Sequence, residues 1–81
     1  MKDQPHMHDI VALLRDTPAV HFLTGQRLIL RRGQIGTVVM LYDGTAFEVE
    51  FAGRDGRAYA ILPIKADNLM VLHDSLEPAA V

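Results

Sequence analysis

Four histidines are the side chains here best suited to metal chemistry. His6 and His8 are two apart, which on an extended segment turns both rings to one side. Joined by His21 or His73, they would make a set for zinc or nickel. More simply, they are solvated residues near a chain end. No third ligand stands at a defined spacing, and the absence of Cys removes thiolate sites. Glu48 and Glu50 lie on one face of a strand-like run, about 6–7 Å apart by strand rise. Paired carboxylates at that spacing can do acid–base work. An exposed convex sheet face, however, has nothing to raise a carboxyl pKa. Ser75 is the single serine and follows His73 by two residues, with no scaffold to hold a dyad. No catalytic, metal or cofactor set is therefore expected, and the chain reads as non-enzymatic.

Arginines form two further groups: Arg27, Arg31 and Arg32, and Arg54 with Arg57. A nucleic-acid contact is one use for them. Gly33, Gly36 and Val38 add a distant likeness to RNA-binding barrels of the KOW type. Single-stranded binders, however, set stacking aromatics on a basic groove. This chain has two Tyr, three Phe and no Trp, and a formal net charge of −2. Solubilising turn charges are the simpler account, so nucleic acid is not the favoured partner. The missing Trp also argues against a proline-motif groove.

The elements that must hold these residues are short strands. With 81 residues, 49% of them hydrophobic, the chain is sized for one small core. Residues 33–51 read as two strands joined at Asp43-Gly44, a strong hairpin signal. Phe47, Val49 and Phe51 alternate with Glu48 and Glu50, which places the aromatics and Val49 inward. Residues 37–42 are apolar on both faces, which predicts a strand covered on both sides. Gly36 within that pattern predicts a bulge or a close backbone approach. An earlier strand is expected at 10–14, ended by a turn at Asp16-Thr17-Pro18. Another runs over 57–62 and ends at Pro63. One tight helical turn over 64–68 precedes a last strand at 69–72.

Residues 19–32 are open to two readings, an irregular loop with one helical turn or an extra hairpin over 19–30. The hairpin, with Gly25 in its turn, is preferred. The whole predicts an all-β fold, a five-stranded SH3-like barrel over residues 9–72. A loose lead at 1–8 and a flexible tail at 73–81 flank it. A swapped or open sheet of the same strands is the alternative.

The runs LRRGQIGTVV, AFEVEF and GRAYAILPIKADNLMVL, with an early HDIVALLRD, resemble small bacterial proteins grouped as a domain of unknown function, family forty-nine twenty-six. The resemblance spans roughly residues 9–72. It implies an SH3-like barrel and brings no activity or catalytic residue. Its usual members have a shorter connection where this chain has residues 19–29. An antitoxin, immunity or accessory role is the expectation that goes with it.

Residues 20–30 hold more apolar side chains than a solvated loop needs. They either pack across the open end of the barrel or form a contact surface. As a contact surface, Phe22, Leu23, Leu28 and Ile29 would bind, with Arg31 and Arg32 at the rim. The partner would be another protein, or a second copy of the chain. A KOW-like nucleic-acid binder and an accessory subunit of an enzyme are the alternatives. A polar first stretch without a signal-peptide core, and no long apolar run, predict a cytoplasmic protein without a membrane segment.

Overall fold

The computed structural model describes residues 4–76, 78 and 79. Seven strands follow in order: β1 Ile10–Leu13, β2 Thr17–Val20, β3 Arg27–Leu30, β4 Ile35–Leu41, β5 Ala46–Ala52, β6 Ala58–Lys65 and β7 Leu69–Val71. A 3-10 turn, Ala66–Asn68, leads into β7. The fold is all-β, as the alternating patterns required. Five strands make one sheet in the order β6-β5-β4-β1-β7, and β2 with β3 make a separate two-stranded sheet. The expected last parts of the tail, residues 77, 80 and 81, and the first three residues of the lead lie outside the described residues. Within the lead, Pro5 is buried. The His8 amide donates to the Val38 carbonyl at 2.8 Å.

Burial follows the period-2 pattern. Phe47, Val49 and Phe51 are buried with Val11, Leu13, Val38, Ala60, Ile64 and Leu69 in one core. Leu30, from the second sheet, belongs to the same core at 2% exposure. It fastens the β2–β3 hairpin over the inner face of the larger sheet.

Several boundaries differ from the sequence expectation. Thr17 and Pro18 lie inside β2, and the turn falls at residues 14–16 instead. Pro63 does not end β6, which continues to Lys65. The reason is the same in both strands. His21 N–H donates to Gln26 O at 2.8 Å. Hydrogen-bonded and non-bonded pairs alternate along an antiparallel ladder. Three rungs on, Pro18 faces Ile29 in a non-bonded pair and loses no ladder bond. Pro63 faces Glu48, three rungs from the Ala66 N–H to Thr45 O bond, and is likewise non-bonded. β6 is also an end strand of its sheet, where proline is tolerated.

The strand expected to be covered on both faces is not. Ile35, Met40 and Leu41 of β4 are exposed, Ile35 at 57%. The register shift in β4 lies between Val38 and Met40 rather than at Gly36. Gly36 serves the close approach. A Cβ there would sit 2.7 Å from Val49 Cγ1, 2.9 Å from the Glu50 carbonyl oxygen and 2.9 Å from Phe51 Cε1. Backbone and a buried ring cannot both retreat. Gly36→Val should therefore lower unfolding free energy by about 3 kcal/mol, the upper range for overpacking. Urea denaturation checks this, and an unchanged midpoint would contradict it.

Candidate functional site

The two-stranded hairpin carries most of the residues singled out by sequence. Its two faces differ. Ala19, Leu28 and Leu30 turn toward the core side, and Leu30 is buried. Pro18, Val20, Arg27 and Ile29 form the outward face and are all exposed. Of the proposed contact residues, Ile29 (55% exposed), Phe22 (48%) and Leu23 (78%) are at the surface. Leu28 is half-buried on the opposite face from Ile29, so it belongs with the packing of the hairpin rather than with its outer surface. Pattern reasoning missed this because the segment was read as two apolar patches and not as a strand with parity.

The tip, residues 21–26, is built on its own polar contacts. His21 Nδ1 accepts hydrogen bonds from the Leu23 and Thr24 amides at 3.2 and 3.4 Å. That ring nitrogen is thus spent on the turn rather than on a metal. The Phe22 amide donates to the Tyr59 carbonyl at 3.0 Å, tying the tip to β6. Tyr59 also accepts a hydrogen bond at its hydroxyl from Gln34 Nε2.

The base is clamped by Asp16. Its carboxylate accepts from the Arg32 amide at 2.9 Å and from Arg31 Nη1 at 3.1 Å. These bonds, the backbone one first, hold the Asp16 carboxyl below the usual Asp range. Arg31 and Arg32 are both exposed. Among the described residues, ion pairs join Arg31 to Asp16 and His6 to Asp9, and none engages Arg15, Arg27 or Arg32. Arg54 and Arg57 sit on another element, the β5–β6 loop, where Asp55 Oδ1 accepts from the Arg57 amide at 3.0 Å.

The remaining candidates do not assemble. His6 and His73 line one surface cleft with Asp9, Asp74 and Ser75. Yet no three His, Asp or Glu side chains among the described residues are grouped to hold a metal ion. Glu48 and Glu50 are half-buried on one face. Glu48 accepts a hydrogen bond from the Tyr42 hydroxyl at 2.9 Å, and that bond pushes the tyrosine pKa up. A second apolar surface was not foreseen. Met70 and Ile35 flank Ala12 across β7, β1 and β4, with Ile10 beside them. Met70, Ile35 and Ile10 are exposed. Alternation with the buried Val11 and Leu13 was the available signal.

The model of the domain of unknown function DUF4926 matches residues 7–71, which takes in all seven strands. The chain belongs to the DUF4926 family. The match includes the β2–β3 hairpin, so the insertion-like segment lies within the extent of the DUF4926 domain. No curated protein and no solved structure matches this member. Among its described residues no helix is long and apolar enough to cross a membrane.

The Asp16 clamp predicts a pH dependence with a defined sign. A carboxyl whose folded pKa is depressed stabilises fully above its unfolded value and loses that contribution as pH falls through the folded one. The Arg32 amide resonance should thus titrate with a midpoint below about 3.9, the ordinary Asp value. Asp16→Asn should abolish that titration. A midpoint at or above the ordinary value would contradict the clamp.

Proposed function

We propose that the chain is a non-enzymatic protein-interaction module of the cytoplasm, carried on an SH3-like barrel. Strand order supports the barrel. β1 lies between β4 and β7, so the first and last strands of the sheet's sequence meet, and the β2–β3 hairpin is placed on the core side by Leu30. The observation that carries the function is the exposed surface of Phe22, Leu23, Val20 and Ile29 on an element already anchored by other residues. Those four side chains are not needed to cover the core, which is closed by Leu30 and Ala19 from the hairpin's other face. Exposed apolar groups on a rigid, polar-rimmed element are what a protein contact uses. An accessory or antitoxin-like role for such a module accords with the family resemblance. A nucleic-acid reading draws on one feature of the same surface, the arginines at 15, 27, 31 and 32.

The test is capture of partners from lysate by the tagged full chain, with and without nuclease, beside a Phe22→Ser, Leu23→Ser double variant. A stoichiometric protein that survives nuclease and is lost in the variant is the expected result. The variant should keep the wild-type unfolding midpoint, since neither side chain is buried. Recovery that depends on nucleic acid and falls steeply with salt would favour the alternative. A partner retained by the double variant would move the contact to the Ile35–Met70 surface.

A further inference from the structure

The β3 strand has an open edge. Because Ile29 and Arg27 stand in non-bonded pairs with Pro18 and Val20, their N–H and C=O groups point away from β2. β3 pairs with β2 and with no other strand among the described residues. Among the described residues no turn or loop hydrogen bond engages the backbone of Arg27 or Ile29. The side chains along this edge follow a simple order. On the outward face Arg27 and Ile29 stand about 7 Å apart by strand rise, and the exposed Arg31 and Arg32 follow just beyond the strand's end. On the other face Leu28 and Leu30 alternate with them. A shallow depression lined by Pro18, Ala19, Val20, Arg27, Leu28 and Ile29 lies across both strands of the hairpin.

Charge decides what fits. Residues 15–32 hold four Arg against one Asp, a net of +3, while the rest of the chain holds −5 of its −2 total. Arg15 and Arg27 form no ion pair among the described residues, and Arg32 meets Asp16 through its amide rather than its guanidinium. A second copy docking edge to edge would bring like charges together, which costs affinity.

We infer that β3 accepts, by strand addition, an extended segment of a partner protein with the pattern acidic–apolar–apolar–apolar–acidic. This rests on the interaction-module reading above and specifies its mode. Main-chain bonds to Ile29 and Arg27 set the register. The two acidic residues face Arg27 and Arg31 or Arg32, and the central apolar one lies over Ile29. The remaining two face the Leu28 and Leu30 side.

The probe is a capped peptide, Thr-Glu-Val-Ile-Val-Glu-Thr, titrated into the isotopically labelled full chain and followed by amide NMR. A counterpart with Lys in place of Glu serves as control. Expected are saturable shifts centred on Arg27 and Ile29, slowed exchange of the Ile29 amide, and binding about tenfold weaker for the Lys peptide. Arg27→Glu should weaken the Glu peptide by a similar factor and favour the Lys peptide. Ile29→Pro removes the outward N–H at a non-bonded position and should abolish binding, with Leu28 and Leu30 amide protection reporting that the hairpin persists. If that variant loses the hairpin, the Arg27→Glu exchange of preference decides. The inference is overturned by no saturable shift at about 1 mM peptide, the weak end of specific association. It is equally overturned by shifts centred elsewhere, by equal binding of both peptides, by concentration-dependent self-association through β3, or by a single-stranded oligonucleotide that binds the same amides more tightly than the peptide does. A captured partner lost in the Phe22, Leu23 variant but kept by Arg27→Glu would leave the interaction module standing and remove strand addition.

Discussion

β1 is four residues long and hydrogen-bonded along both edges, to β4 on one side and β7 on the other. Val11 and Leu13 fill the space beneath it without solvent contact. Through those pairings the early, middle and late parts of the chain meet in one sheet. Such contacts are long in sequence and carry a loop-closure cost that local hairpins avoid. The two edges are further secured where the chain enters and leaves. Gly33 N–H donates to Leu13 O at 2.7 Å, Leu13 N–H to Gln34 O at 3.0 Å, and Leu14 N–H to Asn68 O at 2.9 Å. The hairpins β4–β5 and β5–β6 need β1 to close their apolar face. The hairpin β2–β3 needs it as the point from which it departs and returns.

That departure explains why the hairpin is available for contacts. Asp16 and Gly33 fix its base, the Phe22 amide fixes its tip, and Leu30 fixes its underside. With three separate attachments, the outward face is relieved of any packing duty. Its apolar residues stand on a held platform, which lowers the ordering cost that a mobile loop would bring to binding. Arg15, Arg31 and Arg32 collect at its base because β2 begins and β3 ends in the turns that contain them, and Arg27 opens β3.

A different lesson comes from the prolines. Pro18 and Pro63 were expected to stop strands, because proline removes a donor and restricts the residue before it. Both lie within strands at non-bonded rungs. Ladder parity is a property of the pairing, and a single segment does not reveal it. The same gap misplaced Leu28. The four glycines that do take positive φ, Gly25, Gly33, Gly44 and Gly56, all fall in turns where composition pointed to them. His8 also takes a positive φ, of 69°, at the end of the turn that begins at His6. Nothing in its residue type signalled that.

The sequence alone determined the class of the fold, because alternation and turn chemistry are local. Asp43 Oδ1 accepts from the Thr45 hydroxyl at 2.6 Å and from its amide at 3.1 Å, within the turn the Asp-Gly pair announced. Phe47, Val49 and Phe51 are buried as their spacing required. It also determined that residues 20–30 hold surplus apolar groups. Tertiary structure decided which of them face out. It set Leu30 into the core, turned Leu28 inward, left Ile29 at an open edge and placed Arg27 beside Val20. It also gave Gly36 its purpose, since the neighbours that crowd it come from β5. In each case the deciding atoms lie on another strand, and burial is a relation between strands that no single strand's sequence contains.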